Sequence, residues 1–266
     1  MRVVVLAALT TLTTAVTMST AWAAGTPVFG HDISYPQCNG ALPTDGTFGI
    51  VGINNGRPFS VNPCLTRQYR WAAATPSGAS VYVNTANPAP RSAFHWPATG
   101  AKDPALCADS RSRTDPGCAY DYGWHAGADT LARARTVDSA VVGLHWWLDV
   151  ETQNAWNGDG VSNTAMLQGM YDYLRSHGVT RIGLYSTASQ WKRITGGYTG
   201  SSAASYKAAW RKEFAAKYAL HALPLWIATS GNSTTALTAC ATSFTGARTA
   251  MVQYTDAQGF DTNIIC

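Results

Sequence analysis

Four carboxylates in this chain are placed where they could act on one bond. Asp149 and Glu151 stand two residues apart at the end of the stretch Val142–Glu151, while Asp32 and Asp261 stand near the ends of two other apolar runs. Side chains two apart on a strand share a face, so Asp149 and Glu151 are expected to point into one cavity. Cleavage of a glycosidic bond needs an acid to protonate the leaving oxygen and a second group to meet the positive charge that develops on the sugar. Crowding like charges raises the pKa of one of them and keeps an acid protonated near neutral pH. The alternative use of strand-end acids is to cap the following helix or to remain solvated. Here they share a pleat face with His145 and Trp147, whereas Val142, Leu144, Trp146, Leu148 and Val150 make the other face wholly apolar. A buried strand with acids only at its C-terminal end fits a parallel β/α barrel, whose ligands sit at that rim.

Aromatic residues fit such a use by offering flat faces to sugar rings: Tyr82, Trp147, Tyr185, Trp226 and Tyr254. Each taken alone is more often core. Phe94-His95-Trp96 sits in the long irregular stretch 88–117, which follows a strand and reads equally as a groove wall or a tethered surface loop. Other chemistries have less support. The chain has no Gly-x-Ser-x-Gly elbow, phosphate-binding glycine loop or Gly-x-Gly-x-x-Gly. His125 and Asp129, one helical turn apart, offer a weak metal pair, for which a solvated helix face is the simpler account. No metal or organic cofactor is implied. Asn232-Ser233-Thr234 matches a glycosylation sequon, a pattern too short to argue from.

The elements that must position these residues follow from periodicity. Strands are predicted over 29–34, 49–54, 80–84, 142–151, 181–186, 225–228, 249–254 and 260–265, and helices over 65–74, 120–135, 163–177 and 202–220. The fold class is therefore α/β: an irregular TIM-like barrel of about five βα units followed by three strands with little helix. A closed barrel sets the first strand beside the last, so distant acids can converge.

Residues 1–24 read as a secretory signal peptide, with Arg2, the apolar run Val3–Leu9 and small residues up to Ala24. Residues 25–266 are then one domain, close to the ~250 residues typical of such a barrel. The 19 Lys and Arg against 15 Asp and Glu lose Arg2 with the leader, leaving a mildly basic protein whose cations are scattered. Nucleic acid is not indicated as a partner. Nor is a membrane, since no later apolar run approaches the ~20 residues of a span. A secreted protein, extracellular or in the cell wall, is expected. The six cysteines of an exported chain favour disulfides over metal. Of the 15 possible pairings, the sequential one is expected: Cys38 with Cys64, Cys107 with Cys118 and Cys240 with Cys266. Cys38 and Cys64 follow adjacent strands and so lie at the same rim.

In order, Gly30-His31-Asp32-Ile33-Ser34, Leu148-Asp149-Val150-Glu151, Leu184-Tyr185-Ser186, Leu225-Trp226-Ile227-Ala228, Gln253-Tyr254 and Asp261-Thr262-Asn263 resemble the motifs of glycoside hydrolase family 25, the lysozyme-type muramidases. The resemblance runs through nearly the whole chain after the leader, and Asp-x-Glu is its most specific part. It implies a barrel of five βα units and three further strands, with Glu151 as general acid and Asp149 beside it stabilising the transition state or orienting the substrate's 2-acetamido group. Asp32 and Asp261 are implied as supporting carboxylates. The implied partner is peptidoglycan or a related wall polysaccharide, with no protein partner. The chain departs from the family pattern at Tyr35-Pro36-Gln37-Cys38, Asn54-Asn55-Gly56 and Val252. Two other readings stay open: hydrolysis of a different bacterial wall polysaccharide, and a non-catalytic wall-binding barrel.

Overall fold

The computed structural model describes residues 28–90, 94–97, 106–210 and 219–266. The expected leader, residues 211–218 of the 202–220 helix and part of the 88–117 stretch lie outside them. Eight strands close into a barrel in sequence order: β1 (Phe29–Ile33), β2 (Phe48–Gly52), β3 (Ala79–Asn84), β4 (His145–Asp149), β5 (Arg181–Ser186), β6 (Leu225–Ala228), β7 (Thr249–Thr255) and β8 (Asp261–Ile265). Strands β1 to β7 run parallel to one another, and β8 runs antiparallel to both β7 and β1.

The antiparallel closure has a local cause. Parallel strands need a long crossover, whereas antiparallel ones need only a tight turn. Between β7 and β8 the Asp256 carboxylate accepts from the backbone N–H groups of Gln258 and Phe260, and Gly259 turns the chain at φ 84°. This reversal puts the first residue of β8, Asp261, opposite Asp32 and Thr255. It therefore lies at the rim reached by the C-terminal ends of the parallel strands.

Among the described residues six α-helices surround the barrel: α1 (Leu65–Ala73), α2 (Pro116–Arg135), α3 (Gly160–Ser176), α4 (Ala188–Thr195), α5 (Ala203–Ala209) and α6 (Ser233–Thr238). The outer strand face is apolar, as its alternation predicts. Trp146, Leu148 and Val150 are wholly buried in the main core with Met166, Met170 and Leu174 of α3. Where α2 crosses α3, a Cβ on Gly123 would lie 1.9 Å from the Met166 carbonyl oxygen, and one on Gly169 would lie 2.1 Å from that of Tyr120. Only glycine lets these backbones meet. Inside the barrel a smaller cluster contains Phe48, Ile50, Trp147, Tyr185, Trp226 and Met251.

Several expected boundaries move. Strand β4 begins at His145 rather than Val142, because Asp138 accepts from the Ala140 N–H and winds Ser139–Gly143 into a 3-10 turn. Helices α2 and α3 start earlier than predicted, each at an aspartate cap, Asp115 and Asp159. Among the described residues of 202–220, only Ala203–Ala209 is α-helical. Helix α4 was not anticipated, although Thr187 caps it through the Gln190 N–H and Gly196 ends it at φ 70°. Helices follow β2 to β6, while β1 is followed by the 3-10 turn Tyr35–Gln37. The three sequential disulfides are present, and Cys38–Cys64 ties the segments after β1 and β2 together. No helix among the described residues is long and apolar enough to cross a membrane.

Candidate active site

At the C-terminal rim a cavity of about 380 Å³ is lined by all four expected acids, Asp32, Asp149, Glu151 and Asp261. Asp32 comes from β1 and Asp149 from β4, with Glu151 one pleat repeat beyond it. Asp261 is delivered by the reversal of β8. Two hydrogen-bonded relays fix the deeper pair. The Tyr185 hydroxyl donates to Gln253 Oε1 at 2.7 Å, and Gln253 and Asn263 both donate to Asp32 Oδ1 at 2.8 Å. Across the barrel, Asn54 donates to the Asn84 carbonyl at 2.9 Å and accepts from the Asn84 N–H at 3.1 Å, and the Asn84 side chain donates to Asp149 Oδ2.

The electrostatics favour retained protons. Burial, followed by the Asp261 charge, pushes Asp32 up to about 7 despite the two amide donors. Burial and then the neighbouring Glu151 and Asp32 raise Asp149 well above the ordinary carboxyl range. Glu151 is also raised, by burial and by Asp261, although Gln190 at 3.5 Å and a hydrogen bond with Asp149 oppose the shift. Asp261 is raised by its own burial and by Asp256. Asp149 Oδ1 is buried and has no partner while both carboxyls are charged. A hydrogen bond to Glu151 raises Asp149 and lowers Glu151, so the two titrate as a unit.

The aromatic residues divide. Tyr82, Tyr185 and Trp226 line the cavity. Trp147 does not: it lies beneath, stacked on His145 with ring centroids 4.2 Å apart and against Trp226 at 5.6 Å. Its depth follows from its place two residues before Asp149 on an inward-facing register. Tyr254 is also absent from the lining, because Gln253 takes the inward position and Tyr254 turns outward towards Ser233. Among the residues that sequence reasoning did not assign to the site are four amides that bond its carboxyls: Asn84, Gln190, Gln253 and Asn263. Three of them share the inward pleat register with Tyr82, Met251 and Asp261, which was the available signal. Gln190 required recognition of helix α4. At the surface pair considered for metal, Asp129 is instead bonded by Arg133, at 2.7 Å.

The profile of a family described as "Lysozyme-like protein 1" matches residues 134–212, a span from the end of α2 through β4 and β5 to α5. A probable family 25 lysozyme of Dictyostelium discoideum is 48% identical over 56 residues, covering 21% of this chain and 25% of that protein. A second from the same organism is 41% identical over 56 residues, covering 21% and 26%. These matches span about a quarter of the relatives' length. In three dimensions the chain is similar to a family 25 lysozyme from Aspergillus fumigatus, with a TM-score of 0.56 and 16% identity over 91% of this chain and 94% of that one. It is also similar to the spore cortex lytic enzyme SleM of Clostridium perfringens, with a TM-score of 0.52 and 14% identity over 90% and 67%. At such identities the structural likeness speaks for the barrel alone. With the local sequence matches added to that barrel, the chain is similar to the lysozymes of glycoside hydrolase family 25.

Proposed function

We propose that this protein is a secreted glycoside hydrolase that cleaves β-1,4 bonds between the amino sugars of peptidoglycan. The observation that carries the reading is the crowding of four carboxyls with raised pKa values at the C-terminal rim. A barrel that only bound glycan would have no need to keep acids protonated there. One proton shared by Asp149 and Glu151 serves both halves of the chemistry. Held on Glu151, it passes to the glycosidic oxygen as the C1–O bond breaks and the bonding pair leaves with that oxygen. Asp149, then anionic, faces the positive charge developing at C1, directly or by orienting the substrate's 2-acetamido oxygen. Water finally adds its hydroxyl to C1 and returns a proton to Glu151. The charge of Asp261 keeps the pair's proton in place, and Asp32 adds negative potential once it ionises near pH 7. Tyr82, Tyr185 and Trp226 offer ring faces to the sugar.

The same proposal includes a secretory leader over 1–24, a single barrel domain over 25–266 and an extracellular or cell-wall location. Three disulfides support an oxidising compartment. The relatives named as lysozymes support the hydrolase reading. The test is incubation of the mature protein with purified peptidoglycan and mass spectrometry of the soluble fragments. Fragments ending in reducing N-acetylmuramic acid are expected, and their absence with folded protein contradicts the proposal.

A further inference from the structure

A second cavity, of about 520 Å³, adjoins the acidic one and shares Gly56, Gln153 and Asn154 with it. Its chemistry is different. The first cavity holds four acids, whereas the described lining of the second holds none and includes the cation Arg57. Its walls are aromatic. Phe59 stacks on His95 with centroids 4.1 Å apart and an interplanar angle of 15°, and it meets Tyr122 edge-on at 5.3 Å. Phe94 stands beside His95 and is 98% exposed.

Two features mark this as more than a surface hollow. Phe59 holds φ at 58°, in the left-handed region that bulky residues avoid, and such strain collects at ligand sites. Phe94 is the most exposed large apolar side chain among the described residues, and it stands at the mouth of a cleft rather than at random on the surface. An apolar ring face beside one cation, continuous with a glycan-cleaving cleft, suits a pyranose that bears an acid group.

We propose that the second cavity is a subsite for a sugar unit carrying a carboxylate, its ring lying on Phe94 and the Phe59–His95 stack and its carboxylate paired with Arg57. This rests on the hydrolase reading and names the feature of the glycan that sets its register in the cleft. In peptidoglycan the carboxylate has two sources, the lactyl group of the sugar itself or the stem peptide attached to it.

The test uses the mature protein and its Arg57→Ala and Phe94→Ala variants, both changes being at exposed side chains. Three substrates separate the outcomes: glycan strands stripped of peptide, strands retaining stem peptides, and stripped strands whose carboxyls have been reduced to alcohols. Arg57→Ala is expected to lower kcat/KM about tenfold, through KM, on carboxylated strands, as loss of one charge-assisted hydrogen bond requires. On reduced strands it should change little, while Phe94→Ala should weaken all three. A loss confined to stripped strands identifies the lactyl group, and one confined to peptide-bearing strands identifies the stem. Equal loss on reduced strands, or no loss anywhere, overturns the proposal. Calorimetric binding of the same strands to Glu151→Gln, with and without Arg57→Ala, is read independently of cleavage. If the unmodified protein cleaves nothing, the hydrolase reading fails, and an Arg57-dependent preference for carboxylated strands still upholds the subsite.

Discussion

Gln253 and Asp32 lie 221 residues apart in sequence and 2.8 Å apart in the barrel, the Gln253 amide donating to Asp32 Oδ1. The same oxygen accepts from Asn263, so one edge of this carboxyl is held by two neutral donors while burial and Asp261 oppose its ionisation. The carboxyl is thus fixed in place without a cation. Its charge remains adjustable near neutral pH.

That balance makes a stability prediction. The folded pKa of Asp32, about 7, lies above the unfolded value near 3.8, so the folded state binds the proton more tightly. The contribution is fully present below pH 3.8 and is lost as pH rises through 7. Asp32→Asn keeps an acceptor for Gln253 and Asn263 and removes the titration. Thermal melts should show the variant more stable than the parent at pH 8, by up to about 4 kcal/mol, with little difference at pH 4. A variant equally destabilised at both values would contradict the assignment.

His145 acts in the opposite direction. Burial, assisted by Arg181, lowers it from 6.5 to about 4, so the folded state disfavours its proton. Its cost is absent above pH 6.5, grows as pH falls towards 4 and is constant below that. His145→Gln should flatten the fall in melting temperature between pH 6.5 and 4. An unchanged slope would show that the imidazole does not contribute.

Asp261 raises both Asp32 and Glu151 through its charge. Asp261→Asn should therefore shift the alkaline limb of the activity profile to lower pH, by roughly half a unit to one unit. The measurement is kcat/KM between pH 4 and 9. A limb that stays in place, or moves upward, excludes Asp261 as the group that sets the acid.

Asn84 is the donor to Asp149 Oδ2. Asn84→Ala leaves that buried oxygen unpaired and should cost about 1–3 kcal/mol of stability. It should also lower kcat more than it raises KM, because the carboxyl is free to rotate away from the reacting carbon. Chemical denaturation and steady-state kinetics read the two effects separately, and a variant with full kcat would remove Asn84 from the account.

Much of this site was legible in the sequence because a strand has a strict period of two. Trp146, Leu148 and Val150 pointed outward to the helices, so Asp149 and Glu151 had to point inward. The same rule, applied to Gln253-Tyr254, would have turned Tyr254 away from the cavity. Aromatic type was weighed there ahead of register. Trp147 shows a second limit, since register gives the face but not the depth, and two positions below Asp149 a tryptophan fills the barrel floor. The amide network around Asp32 joins β1, β5, β7 and β8, and partners that distant leave no local pattern. Helix α4 was missed because its Thr187 and Gln190 cap lies in a short polar run with only Trp191 and Ile194 as apolar punctuation.

The central claim is that Glu151 delivers the proton that breaks the glycosidic bond. Glu151→Gln keeps the size and hydrogen-bonding capacity of the side chain and removes the transferable proton. Release of reducing ends from purified peptidoglycan should fall by about a thousandfold or more, as removal of a catalytic acid typically requires, with melting temperature and glycan binding retained. Release at the parent rate by the folded variant would contradict the account.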